Sequence, residues 1–291
     1  MIDLHSHTNE SDGTVAPADL IDLALRTGLD ALAITDHDTF AGYDQAAPIA
    51  RAKGLDLVCG IEINTRLAQT RNGRDRSWSV HLLGYFLNQP PPPSFREWLL
   101  ASLESRRQRN LKLVARLKEM GVDIELAEVQ AMGRTLTGRP HFARVLMKKG
   151  YVASTDEAFR KYLGEESPGF VHRDSPATVV GIERIVQAGG LAVLAHPIRL
   201  GIKDPVHEEA MIAEFRDVGL GGLEVYHSDH SPRTSERYAK LATQLDLAVT
   251  GGSDFHGDAK PAIQLGTGAD NNLNVGVDVL VELRERFARR S

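Results

Sequence analysis

Seven short β-rich runs recur along this chain, at residues 2–6, 31–35, 57–63, 80–86, 192–195, 222–226 and 247–250. Stretches of helical character alternate with them, at 18–27, 43–53, 179–188, 208–218, 231–245 and 277–289. Parallel strands cannot be joined by a tight turn and usually cross over through a helix, so this alternation predicts βα units and a largely parallel sheet. Pro17 ahead of the first helix, and Gly54 and Gly189-Gly190 after the second and third, are the expected start and stop signals. No run carries the protection of an exposed edge, so closure into a barrel is expected over an open sheet. Arg71-Asn72-Gly73-Arg74 supplies an Asn-Gly turn between the third and fourth runs, which are therefore expected to pair as an antiparallel hairpin.

Prolines at 90–93 interrupt the pattern, and the chain beyond them reads as helix until about Phe170. Leu99, Leu103, Leu111, Val114 and Leu117 fall at helical spacing within 98–120, ahead of Gly121, and further helices are expected at 125–132, 139–149 and 155–162. Residues 95–170 are therefore expected to form a small helical insert, a substrate cap, between barrel segments 1–94 and 171–291. Between Phe95 and Gly150, twelve lysines and arginines face six acids, a net +6 that leaves −11 for the rest of a chain whose total is −5. Such a division suits cations in the body and a phosphorylated ligand beneath the insert; a solvated helix face would carry the same charge.

The overall balance argues against a protein that coats nucleic acid. No run approaches the ~18 apolar residues of a membrane span, and the opening Met-Ile-Asp-Leu-His lacks the layout of a signal peptide. A soluble, cytoplasmic protein is the expectation. Cys59 is the only cysteine, so any metal must be held by imidazole and carboxylate.

Those groups gather where strands end. His5 and His7 are two apart on the first strand, which puts both side chains on one face. Asp12 follows in the next loop, Asp36-His37-Asp38 ends the second strand and Glu62 the third, His81 lies in the fourth, His196 follows the fifth, and Asp254 and His256 follow the seventh. In an α/β barrel these positions converge on the C-terminal mouth. Any one could be a cap or an ion-pair partner, but together they would burden the fold with desolvation and repulsion unless cations neutralised them. Nitrogen and oxygen ligands without thiolate suit manganese, iron or zinc, and the ligand count suits two or three ions, with Glu62 able to bridge a pair.

The set His5-Ser6-His7-Thr8, Thr35-Asp36-His37-Asp38, Gly60-Ile61-Glu62, His81, Ala195-His196-Pro197 and Gly252-Ser253-Asp254-Phe255-His256 resembles the PHP (polymerase and histidinol phosphatase) family. The resemblance implies a distorted (β/α)7 barrel with a trinuclear centre, manganese being the first expectation. It implies His5, His7, Glu62 and Asp254 at one metal and Glu62, His81 and His196 at the second. Asp12, His37 and His256 would hold the third, with Asp12 standing where many members have His. Gly138-Arg139-Pro140-His141-Phe142-Ala143-Arg144 and Tyr162-Leu163-Gly164 are similar to the TrpH-like subgroup. That likeness implies hydrolysis of nucleoside 3′,5′-bisphosphates to the 5′-monophosphate and phosphate, with 5′-to-3′ trimming of short 5′-phosphorylated RNA as a related activity.

Under that reading a hydroxide between the first two metals attacks the 3′-phosphorus. Arg134, Arg139 and Arg199, with His141, are the candidates for the 5′-phosphate, because arginine's planar fork donates two hydrogen bonds. His227 and His230, after the sixth strand, are candidates to protonate the leaving oxygen. His172 and His207 are read as ordinary, and no residue offers itself to stack the base. The competing readings are a phosphatase of another small ester such as histidinol phosphate, a C–N hydrolase of the amidohydrolase type, for which no bridging lysine stands at a strand end, and a noncatalytic metal-binding module.

Overall fold

A computed structural model describes residues 1–71 and 74–290. Seven strands form one sheet in sequential order: β1 (Ile2–Asp3), β2 (Ala31–Ile34), β3 (Asp56–Arg71), β4 (Arg74–Phe86), β5 (Leu191–Leu194), β6 (Gly222–His227) and β7 (Ala248–Gly252). The sheet closes on itself beyond β1, where Leu4 N–H donates to the Gly251 carbonyl (3.1 Å), Asp254 N–H to that of His5 (2.9 Å) and His7 N–H to that of Phe255 (2.9 Å). A Cβ at Gly252 would stand 2.3 Å from the His5 nitrogen, so only glycine lets the last strand approach the first there. The result is the expected (β/α)7 barrel.

One strand departs from the parallel expectation. β4 is antiparallel to β3 and also to β5. A hairpin connection is too short for a crossover, so β4 must reverse, and it then meets β5, which follows a crossover of its own, in the opposite sense. The hairpin is also longer than expected, paired from Cys59–Phe86 out to Arg71–Arg74; the Asn72-Gly73 turn itself lies outside the described residues. Because β4 runs backwards, its middle rather than its end delivers His81 to the mouth.

Side chains alternate between the two faces of the sheet, as a period of two requires. Ala31, Ala33, Val58, Leu83, Tyr85, Leu191 and Val193 share one core, whereas Leu32 and Ile34 pack with α1 (Pro17–Thr27) and α2 (Ala41–Lys53). Leu280, Leu283 and Phe287 of α10 (Val277–Arg290) join the first core and cover the end opposite the mouth. Cys59 is buried on the outer face, and burial pushes its thiol up to about 12. At pH 8 it is expected to stay unmodified by iodoacetamide over hours in the native protein and to react within minutes after unfolding, read by mass spectrometry.

α3 (Pro93–Glu119) begins five residues earlier than the apolar spacing suggests, with Pro93 in its first turn. Its Phe95 and Leu99 belong to the barrel's outer core. Its later residues Leu113, Val114 and Leu117 form a separate core with α4 (Leu126–Gln130) and α5 (Arg139–Lys148). The stretch expected as one helix at 155–162 is instead α6 (Thr155–Ala158) followed by a π turn over Phe159–Leu163, closed by Gly164 N–H to the Phe159 carbonyl at 2.7 Å. The remaining crossovers are α7 (Thr178–Gln187), α8 (Pro205–Asp217) and α9 (Pro232–Gln244). Among the described residues, no helix is long and apolar enough to cross a membrane.

Candidate metal centre and anion recess

Glu62 stands at the centre of the mouth, on the inward face of β3 and 1% exposed. Its two oxygens face different imidazoles. Oε1 lies 2.8 Å from His81 Nδ1 and 2.9 Å from His196 Nε2, and Oε2 lies 3.1 Å from His7 Nε2, 3.2 Å from His37 Nδ1 and 3.4 Å from His5 Nε2. Asp254 Oδ1 approaches the same His5 and His7 nitrogens at 3.5 and 3.3 Å. Asp12 sits between His256 Nε2 at 3.3 Å and His37 Nε2 at 3.7 Å, with His7 Nδ1 at 3.6 Å. Nine of the expected ligands thus meet in one cluster.

Local backbone aims them. His196 and Asp254 adopt positive φ (25° and 57°), which turns each side chain inward directly after its strand. Glu224 on β6 holds two of the histidines: one oxygen accepts from the His196 backbone N–H at 2.6 Å and the other from His5 Nδ1 at 2.8 Å. With Nδ1 as donor, His5 presents its Nε2 lone pair to the cluster, an outer carboxylate fixing the tautomer of an inner imidazole. Asp36 accepts from Thr8 N–H and the Thr8 and Ser11 hydroxyls, which fixes the loop carrying Asp12.

The donor set fits divalent cations. His5 Nε2 and His7 Nε2 are buried and have no hydrogen-bond partner, yet both point at the Glu62 and Asp254 carboxylates. Burial opposes ionisation of Glu62, but His37, His81 and His5 outweigh it and hold the carboxyl well below its usual range. Burial likewise opposes protonation of His7, which the adjoining Asp254 and Glu62 carboxylates nevertheless lift to about 9. Buried carboxylates therefore demand positive charge at the place where His5 and His7 aim their nitrogens. Burial, reinforced by Arg199, pushes His196 down to about 3, leaving a neutral imidazole with a lone pair to give. Three of the groups with mutual metal-ligand spacing are His5, His7, Glu62 and Asp254; His7, Asp12, His37 and His256; and His37, Glu62 and His81.

Above the cluster lies a cavity of about 340 Å³. Asp254 Oδ2 faces it with two cations attached, Arg199 at 2.8 Å and Lys260 at 2.7 Å. Arg106, Arg139 and Asn64 are shared with a smaller recess of about 40 Å³, where Arg66, Arg109 and Arg173 join them. Asp38 answers Arg106 at 2.6 Å and Arg173 at 3.1 Å, and Glu165 answers Arg66 at 3.1 Å. Arg109 is 5% exposed, and its Nε has no hydrogen-bond partner. Burial, then the neighbouring Arg106, Arg139 and Arg173, holds its pKa well below the ordinary value. Positive charge is in excess in the recess, which gives it the electrostatics of an anion site.

The other expected residues fall elsewhere. Arg134 is 62% exposed, 3.8 Å from Glu10, and lines a separate groove beside α3. His141 is fully buried, and its Nδ1 accepts from Gly138 N–H at 3.0 Å, closing the first turn of α5. His227 is buried behind the cluster; its Nδ1 accepts from Asp229 N–H at 3.0 Å, which leaves the proton on Nε2, 3.7 Å from Asp254 Oδ2. His230 bonds the Val225 carbonyl and packs against Tyr238. Neither His227 nor His230 lines the cavity.

Sequence reasoning missed Glu224, Lys260, Asn64, Arg106, Arg109 and Arg173, and it placed Asp38 at the mouth without its two arginine partners. A lone acid inside the apolar run Leu223–Val225 was a usable signal for Glu224. Arg106 and Arg109 carried none, because arginines three apart on a helix also describe a solvated face.

The PHP domain family matches residues 3–159. The chain is 32% identical over 267 residues to a 3′,5′-nucleoside bisphosphate phosphatase of Chromobacterium violaceum, covering 88% of this chain and 87% of that protein. It is 34% identical over 268 residues to the 5′-3′ exoribonuclease Rnm of Escherichia coli, covering 91% and 87%. A crystal structure from Bifidobacterium adolescentis, described as a candidate metal-dependent phosphoesterase, superposes with a TM-score of 0.82 at 32% identity over 98% of this chain and 96% of that one.

Proposed function

Because the chain belongs to the PHP domain family, we propose that it is a metal-dependent phosphoesterase that removes the 3′-phosphate of nucleoside 3′,5′-bisphosphates, giving the 5′-monophosphate and phosphate. The observation that carries this reading is the pairing of two sites in one cleft: a carboxylate-imidazole cluster and, sharing walls with its cavity, a recess with surplus arginine. A ligand with two phosphates on one ribose suits both ends.

We assign His5, His7, Glu62 and Asp254 to one ion and Glu62, His81 and His196 to the next. Asp12, His37 and His256 take a third. When bound, divalent ions, manganese first with zinc or iron as alternatives, supply Lewis-acid charge at phosphorus and an acidified water. The protein's part is placement. Arg106, Arg109, Arg139 and Arg173 hold the 5′-phosphate, which sets the 3′-phosphorus over Glu62. Arg199 and Lys260 balance Asp254, and His227 lies behind that carboxylate, 3.7 Å from it. With both His227 and His230 buried, solvent in the cleft delivers the proton to the departing 3′-oxygen. The insert at residues 95–170 acts as the cap, and the lone buried thiol fits a cytoplasmic setting.

The same placement accepts short 5′-phosphorylated RNA, because a 3′-phosphodiester presents the same P–O3′ bond, and His81 and Lys260, at 23% and 36% side-chain exposure, leave the metal end of the cleft open to a chain. The test is phosphate or nucleotide release, with added manganese, from 3′,5′-bisphosphates, 2′,5′-bisphosphates, sugar phosphates and short 5′-phosphorylated RNAs. Turnover of 3′,5′-bisphosphates at least 100-fold above the sugar phosphates is expected; a preference for sugar phosphates would return the reading to a small-ester phosphatase.

A further inference from the structure

We propose that Phe159 is the surface against which the substrate's nucleobase stacks, so that the base is held by its face and not read at its edge. The inference rests on the phosphoesterase reading above. With the 3′-phosphate at the Glu62 cluster and the 5′-phosphate in the arginine recess, the ribose lies between, and the base must turn toward the wall of the cavity that is left. The apolar lining is Leu136, Pro140 and Phe159 from the insert, together with Ala259. None of the four side chains can hydrogen-bond. Thr155 is the polar exception, and its hydroxyl lies 3.7 Å from Met147 Sδ.

Phe159 is held ready for this. It opens the π turn, whose Gly164-to-Phe159 bond of 2.7 Å fixes its backbone. The Arg139 guanidinium carbon sits 5.7 Å from its ring centroid and 5.8 Å from that of Phe170, so a cation packs the ring in place. The ring is partly buried against the insert's core and still lines the cavity. A flat apolar face beside charged subsites binds any of the four bases, since each has a π face.

The experiment compares the wild type with Phe159→Ala, Phe159→Leu and Phe159→Trp on the 3′,5′-bisphosphates of adenosine, guanosine, cytidine and uridine, and on an abasic 1-O-methylribose 3,5-bisphosphate. For Phe159→Ala, kcat/KM should fall roughly 10- to 100-fold on all four nucleotides, mainly through KM, and stay unchanged on the abasic compound. Phe159→Leu, which keeps a branched apolar side chain on the insert's core but has no ring, should lose nearly as much, and Phe159→Trp little. An equal loss on the abasic substrate would mean that Phe159 acts through Arg139 and would overturn the proposal, as would unchanged kinetics in Phe159→Leu. If the wild type turns over none of the nucleotides, the reading of the reaction fails instead. Calorimetry then decides the stacking surface: Phe159→Leu should weaken adenosine 5′-monophosphate binding and leave ribose 5-phosphate unaffected, and equal effects on the two overturn it.

Discussion

Glu62→Gln is expected to lower kcat by about 10³- to 10⁴-fold, ~4–5.5 kcal/mol of transition-state stabilisation, and to reduce the metal bound per chain by at least one ion. The amide keeps the shape of the carboxylate but gives up one oxygen and the charge. Whichever way it turns, one face presents an NH2, either to His81 and His196 or to His5, His7 and His37. A nitrogen donor cannot share a cation with those imidazoles, so the bridge between two sets of ligands is broken. Elemental analysis beside steady-state kinetics checks both halves of the expectation. Full activity at full metal occupancy would remove Glu62 from the centre of the mechanism.

Arg109→Met is expected to separate function from stability. Arg109 is a buried guanidinium with Arg106, Arg139 and Arg173 as neighbours, and among the described residues no carboxylate pairs with it. An aliphatic chain of similar reach keeps the packing and removes the uncompensated charge, so the ligand-free protein should gain ~1–3 kcal/mol, a rise of a few degrees in Tm. The 5′-phosphate loses a charged hydrogen-bond partner at the same time. KM for a nucleoside 3′,5′-bisphosphate is expected to rise roughly 30- to 100-fold, and added inorganic phosphate should no longer raise Tm. A lower Tm with unchanged KM would make Arg109 a structural residue and leave the recess without its anion. The opposing signs explain how such a cluster persists: it costs stability in the empty protein, and substrate binding offsets that cost.

Much of the site is legible in the chain because strand geometry is local. His5-x-His7 shares a face by the period of two, and each ligand that ends a parallel strand reaches one rim whatever the rest of the fold does. His81 arrives at the same rim for a different reason, the reversal of β4, which the Asn-Gly turn foretold. The expected helix at 155–162 is present, but it is α only over its first turn: an i to i+5 bond at Gly164 widens the rest into a π turn, which side-chain periodicity does not signal.

The arginines divide differently. The sequence by itself determined a barrel, a run of helices with net positive charge between its fourth and fifth strands, and a ring of imidazoles and carboxylates at one mouth, because periodicity and strand ends encode them over a few residues. Which of the insert's arginines are buried, and that Arg134 faces solvent while Arg106, Arg109 and Arg139 meet Arg173 from beyond the insert, only the tertiary structure decided. On a helix every third or fourth residue shares a face, but whether that face meets water or a recess depends on segments thirty or more residues away. Glu224 obeys the same rule: its charge is tolerated inside a strand only because the His5 ring and the His196 N–H come to it from distant parts of the chain.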